Sequence, residues 1–185
     1  MHKRDRRRGT RGMGQGARPA LWLIPCLLLL GALTACREAP EYPLPTAEEV
    51  EAFYQVRGDL EVSMNGNVAE LAINQNADQL RRGGSTWARV GPYIYLFSEA
   101  TQSMLDAWPG VSGVRVTTRP PSGEGMVATA FLRRDELNHL TWPRALSMAG
   151  LARRDATESP GRMTDLIRYG EETVTEFEYN PRYVP

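Results

Sequence analysis

The sequence predicts an α+β domain built on an antiparallel sheet of about five strands, arranged in hairpins, with helices packed on one face. Three observations carry this. Leu60, Val62 and Met64 alternate with Glu61 and Ser63 up to Asn65-Gly66, a pair suited to a tight turn, and an apolar run returns over 68–73. A second pair of β-rich runs, opened by Val114 and Val116 and closed over 126–132, flanks Pro120-Pro121-Ser122-Gly123. Between and after these hairpins lie stretches with helical spacing and caps, so strands are grouped instead of alternating with helices.

In chain order, Thr46 is an N-cap, with Glu48 and Glu49 in the first turn and Val50, Phe53 and Tyr54 at helical spacing, which predicts a helix over 46–56 ended by Gly58. The first hairpin follows. Residues 74–85, polar and glycine-bearing, read as a loop holding one helical turn. Residues 87–97 read as a strand on the β-rich Tyr93-Ile94-Tyr95-Leu96-Phe97. Ser98 caps a helix over 99–108, with Ala100, Met104, Leu105 and Trp108 on one face, and Pro109-Gly110 stops it. After the second hairpin, Thr141 caps a helix with Trp142 and Pro143 in its first turn and Leu146, Ala149 and Leu151 at core spacing. A further helix is expected over 159–169, and the alternation over 173–179 suits a late strand.

Composition is that of a folded chain: of 185 residues, 42% are hydrophobic and 24% charged, which excludes collagenous and disordered classes. The formal charge of zero hides a split. Residues 1–35 carry seven cations and one acid; removing them from the totals of 22 and 22 leaves 15 cations and 21 acids, a net charge of −6 from Cys36 onward. That balance argues against nucleic acid as a partner.

The basic leader runs into an apolar segment, 20–35, too short to span a bilayer comfortably, since that takes about 20 residues. It reads as the h-region of a signal peptide. Its ending, Leu33-Thr34-Ala35-Cys36, resembles the lipobox of bacterial lipoproteins: a branched apolar residue, two small residues and a cysteine. The resemblance implies that Cys36 is acylated and becomes the first residue of the mature protein. Two or more acyl chains hold a protein stably without a transmembrane helix. Cys26 competes for the role, but Pro25 precedes it where a small residue is needed. Arg6-Arg7-Arg8 lacks the apolar residues that follow a twin-arginine pair, so the general secretory route is expected, and a start at Met13 in place of Met1 leaves a simpler leader.

The expected organisation is therefore a signal peptide over 1–35, a tether over 36–45 and one α+β domain over 46–185. At about 3.1 Å per residue when extended, the tether keeps the domain close to the lipid surface. Arg37 stands where the enterobacterial inner-membrane sorting pattern has aspartate. The resemblance thus implies the periplasmic face of the outer membrane where the organism has two membranes. Cys36 is the only cysteine left after cleavage, so no internal disulfide and no multi-cysteine metal site is expected.

Residues 60–118 also resemble the BON modules of bacterial envelope proteins, with a hairpin, a helix and a strand entered through Trp108-Pro109-Gly110-Val111. An insertion over 74–95 departs from that pattern.

His139 stands three residues after Glu136, a ligand spacing on a helix, but two ligands do not make a metal site, so no metal and no cofactor is expected. No Gly-x-Ser-x-Gly motif supports a serine nucleophile, and Gly83-Gly84-Ser85 and Ser122-Gly123-Glu124-Gly125 lack the lysine and spacing of a phosphate loop, so both read as turns. Glu70, Asp135 and Glu136 are candidates for a paired-carboxylate hydrolase or lyase. Trp87, Tyr93 and Tyr95 share one parity of the predicted strand and form a possible binding surface, the alternative being a strand buried on both sides. The tail 177–183, with Phe177, Tyr179 and Tyr183, is a second possible contact segment. Arg81-Arg82, Arg133-Arg134 and Arg153-Arg154 are paired cations that either face lipid headgroups or are solvated surface.

The reading that results is a lipid-anchored bacterial envelope protein. Its domain is expected to bind or scaffold another envelope component, a protein or a glycan, without catalysis. The paired-carboxylate enzyme and a small-molecule carrier are the alternatives.

Overall fold

The computed structural model describes residues 42–55, 60–155 and 158–183. Cys36 and the lipobox residues Leu33, Thr34 and Ala35 lie outside the described residues, as does Gly58, the expected stop of the first helix. The described residues all fall within one compact unit, Glu41–Pro185.

Both predicted hairpins are present. β1 (Leu60–Asn65) and β2 (Val68–Asn74) pair antiparallel across Gly66, whose φ of 59° supplies the left-handed turn conformation. β3 (Gly113–Arg119) and β4 (Ala128–Arg133) pair antiparallel likewise. β5 (Glu176–Tyr179) adds to β4 with Phe177 opposite Ala130. The sheet runs β1-β2-β3-β4-β5. It is mixed, because β2 and β3 lie parallel with Leu71 opposite Val116. A parallel neighbour needs a crossover, and the helical segment 77–107 provides it.

The alternation along each strand sorts residues onto two faces. Leu71, Ile73, Val114, Val116, Ala130 and Leu132 are buried and form one wall of the core. Glu70, Arg115 and Phe131 occupy the other face together with Ser63 and Glu176, which are in register with them across the sheet. The helices pack against the first face, as expected for an α+β sandwich.

α1 (Ala47–Glu51) begins as predicted: the Thr46 hydroxyl accepts from the Glu49 amide at 3.2 Å, and the Glu49 carboxylate accepts from the Thr46 amide at 2.8 Å. It is shorter than 46–56. The last residues of the expected tether already belong to the fold. Pro45 is buried, and a Cβ added at Gly110 would lie 2.8 Å from the carbonyl oxygens of Tyr42 and Pro43.

The main correction falls on 74–97. The segment is one helical element, α2 (Ala77–Leu96), broken at Gly84, and not a loop followed by a strand. Asn76 caps it, its side-chain oxygen accepting from the Asp78 amide at 2.8 Å. Trp87, Ala88, Val90, Tyr93, Ile94, Leu96 and Phe97 are all buried, so this stretch is apolar on nearly every side. Such a continuous apolar run fits a buried strand and a buried helix equally well, which is why the pattern misled. Gly91 lets α2 approach the sheet: a Cβ there would lie 3.1 Å from Thr118 on β3 and 2.1 Å from the Gln75 amide nitrogen.

α3 (Glu99–Ala107) starts at Ser98, whose hydroxyl accepts from the Thr101 amide at 3.2 Å. α4 (Trp142–Asp155) is preceded by a cap at Asn138, three residues before the expected Thr141: the Asn138 side chain accepts from the Leu140 and Thr141 amides, and the Thr141 hydroxyl accepts from the Asn138 amide. α5 (Pro160–Thr173) continues four residues past the expected end, so Thr173 is helical and the late strand is confined to 176–179. α5 crosses α2 at Gly170, where an added Cβ would lie 2.5 Å from the Tyr93 ring. Among the described residues no helix is long and apolar enough to cross a membrane.

Candidate functional site

A cleft of about 220 Å³ lies between α2 and α5, just after the helical break at Gly84. Ser85, Thr86 and Arg89 line it from α2, and Thr164, Ile167, Arg168 and Glu171 from α5. Gly84 has φ 51° and ψ −137°, values a helix does not accommodate, so 85–96 is a second helical segment with its own N-terminal turn at the cleft. Arg89 donates to the Glu171 carboxylate, and Arg168 to Asp165 at 2.9 Å.

Along this helical element the Arg89 Nε and the Tyr93 hydroxyl are buried without a hydrogen-bond partner, as are both side-chain polar atoms of Gln75 just before it, while Tyr93 does not line the cleft. Tyr93 has no exposed surface at all. Its ring stacks on Phe97 at 6.0 Å and on Phe177 at 5.3 Å, and Gly170 presses on its edge, so the hydroxyl is held in place. Burial pushes the phenol well above its ordinary pKa, with Glu171 adding to the rise and Arg89 opposing it. The hydroxyl is therefore neutral, and it sits in the field of the two charged groups that line the cleft.

The aromatic set singled out in the sequence is separated by the helix. Trp87 and Tyr93 are core residues, and Tyr95 is half-buried on a third direction, its phenol pushed up by burial with Arg153 opposing. The strand parity that joined them lapses with the strand. What matters at Tyr93 is its hydroxyl, which strand reasoning passed over. The signal that would have found the cleft is Gly83-Gly84-Ser85-Thr86, read as a helix start in place of a turn.

The other sequence candidates are engaged elsewhere. Glu70 accepts from Asn65 at 3.2 Å and lies 3.9 Å from Arg115 on the open face of the sheet. Asp135 pairs with Arg133 at 2.6 Å, and Glu136 accepts from the Thr175 hydroxyl at 3.4 Å. Glu136 and His139 are exposed in the turn before α4, so they do not share a helix face. Among the described residues no three His, Cys, Asp or Glu side chains gather as a metal would require.

The paired arginines have diverged. Arg134 donates to the carbonyls of Val111 and Trp108 and so fastens the Pro109-Gly110 turn, while Arg153 donates to the Ile94 carbonyl at the end of α2. Arg81 pairs with Asp78 one turn away. In the tail, Phe177 packs on the core and Tyr179 is 42% exposed with Arg89 over its ring at 5.9 Å.

The open face of the sheet is polar and laced. Arg115 holds Glu176 at 2.7 Å and lies 4.8 Å over the Phe131 ring; Arg119 holds Glu61 at 2.7 Å; Thr117 and Thr129 share a hydrogen bond at 3.0 Å. No family model matches the chain, and no curated protein and no solved structure matches it. The likeness of 33–36 to a lipobox and of 60–118 to a BON module thus stands on the residues alone.

Proposed function

We propose that this chain is a lipid-anchored bacterial envelope protein, held to the membrane through acylated Cys36, whose α+β domain is a binding or scaffold module for another envelope component, a protein or a glycan. The run Leu33-Thr34-Ala35-Cys36 supports the anchor, and Arg37 supports the periplasmic face of the outer membrane in a cell with two membranes. The observation that carries the binding role is the α2–α5 cleft. Its lining mixes hydroxyls and charges, Ser85, Thr86, Thr164, Arg89, Arg168 and Glu171, around the apolar Ile167, the kind of polar and apolar surface a recognition site offers.

Photo-crosslinking in intact cells tests this. A photoreactive side chain at Ser85, in the cleft, is expected to give one reproducible adduct, while the same probe at Glu178, on β5, gives none above background. No reproducible adduct from the cleft, or equal adducts from both positions, contradicts the proposal.

A further inference from the structure

Among the described residues, four large apolar side chains are exposed: Tyr42 at 52%, Leu44 at 47%, Leu140 at 75% and Tyr179 at 42%. Single exposed apolar side chains are ordinary on a folded surface. Their placement is the informative part, because three of the four belong to one end of the sheet. There β3 begins at Gly113 opposite Arg133, the last residue of β4. The Ser112 amide donates to the Asn67 carbonyl at 2.8 Å, and the Arg134 amide to the Ser112 carbonyl at 2.9 Å. The Arg134 side chain holds the carbonyls of Trp108 and Val111. Residues 42–44 lie against the same turn, since a Cβ at Gly110 would come within 3.1 Å of the Leu44 side chain. Leu140 follows Arg134 in the segment that leads into α4. That segment stays at this end, because its Glu136 accepts from Thr175, just before β5. The Leu140 amide donates to the Asn138 side chain at 2.9 Å, and its neighbours Leu137 and Trp142 are buried, so the Leu140 side chain is held outward. Tyr179 is at the opposite end, paired with Ala128 at the start of β4.

The length of chain before this end says what lies beyond it. Five residues separate Tyr42 from Cys36, a reach of about 20 Å when fully extended. A domain of this length is about 35 Å across, so an acylated Cys36 keeps this end nearest the bilayer. Arg133 is engaged by Asp135 at 2.6 Å and Arg134 by carbonyls, so contact with lipid falls to apolar groups and not to a basic patch. Tyrosine and tryptophan suit the headgroup level, where a ring is apolar on its faces and wet at its polar edge. Trp108 stands half-buried in the same turn as Gly110. We infer that this end of the domain, through Tyr42, Leu44 and Leu140, rests in the interfacial layer of the membrane that holds the anchor. The contact gives the domain a fixed orientation. The α2–α5 cleft, whose Arg89 lies over the Tyr179 ring at 5.9 Å, is then turned away from the lipid and toward its partner. The inference rests on the lipid-anchored reading proposed above.

A photoreactive side chain placed at Leu140 of the full chain in intact cells tests this, with the same probe at Tyr179 as the control. Leu140 decides and Leu44 does not, because Leu44 is close to the anchor however the domain is turned. Both probed positions are exposed, so the core accommodates the probe. The expected result is an adduct of phospholipid mass at Leu140, about fivefold or more above that at Tyr179. Absence of a lipid adduct at Leu140 overturns the inference. Equal lipid adducts at both positions overturn it as well, since they mean a domain that tumbles beside the bilayer. A protein adduct at Leu140 in place of lipid also overturns it and marks this end as a protein interface. The mass of the N-terminal peptide from the same cells separates the contact from the anchor. A lipid adduct confined to Leu140 beside an unmodified Cys36 keeps the contact and removes the anchor, and an acylated Cys36 with no lipid adduct at Leu140 removes the contact alone.

Discussion

The open face of the sheet and the α2–α5 cleft are both polar surfaces, and they treat their polar atoms in opposite ways. On the sheet, the side chains brought together by register answer one another: Glu70, Arg115 and Glu176 form one row, Glu61 and Arg119 a diagonal, Thr117 and Thr129 a rung. Where α2 packs on α5, the Arg89 Nε and the Tyr93 hydroxyl are shielded from water and answered by nothing within the fold. A regular sheet places partners at fixed spacings, so a surface of this kind completes itself. Where a helix breaks and crosses another closely, no such fixed spacing exists, and polar atoms are left unanswered.

Substitutions that separate the two regions follow from this, the largest first. Phe97 is 1% exposed and carries the stack that holds Tyr93, with Tyr169 against it edge-on at 5.4 Å. Phe97→Ala should cost about 3–5 kcal/mol in a urea melt. Phe131→Ala on the half-buried open face should cost less than half of that, and equal losses would erase the distinction between the two regions.

Alkali should act through buried tyrosines beneath the covered face. Burial pushes Tyr54 up to about 12, with its hydrogen bond to Thr101 opposing, and pushes Tyr93 up as well. A phenol whose pKa is higher in the folded state stabilises fully below the unfolded value near 10 and loses that contribution as pH rises through the folded value. Unfolding free energy should therefore fall between pH 10 and about 12, by roughly 2–3 kcal/mol for Tyr54 alone at the upper end. Tyr54→Phe is expected to flatten the slope. An unchanged slope in that variant would remove burial of Tyr54 as its cause.

Smaller and opposite in sign, Tyr93→Phe removes an unanswered hydroxyl and should raise stability by about 1 kcal/mol without added ligand. A loss of stability would show that the hydroxyl is satisfied in solution. Smallest is the Arg115–Glu176 pair, for which a double-mutant cycle should return about 0.2–1 kcal/mol, as expected of a pair open to water on one side.

The hairpins were legible because a half-buried strand writes its period of two directly into the chain: Leu60, Val62 and Met64, then Ala69, Leu71 and Ile73. The caps at Thr46 and Ser98 were legible for a similar reason, since a side chain near in sequence does the work. Residues 87–97 were not, because a helix buried on nearly all sides carries no polar stripe to set its period. The parallel pairing of β2 with β3 was hidden by the same misreading, since part of the helical crossover that permits it read as a strand. Tyr93 was named for its ring and, at the cleft, Gly83-Gly84-Ser85 for a turn. The meeting of Ser85 with Arg168 and Glu171 across the cleft depends on α5 packing beside α2, a contact between residues far apart in sequence.

The anchored binding module makes one demand that mass spectrometry answers directly: the intact mass of the N-terminal peptide from the membrane fraction, with Cys36→Ala beside it. The account predicts a peptide that begins at Cys36 and carries acyl chains, absent in the variant. An unmodified peptide extending upstream of Cys36 would contradict it.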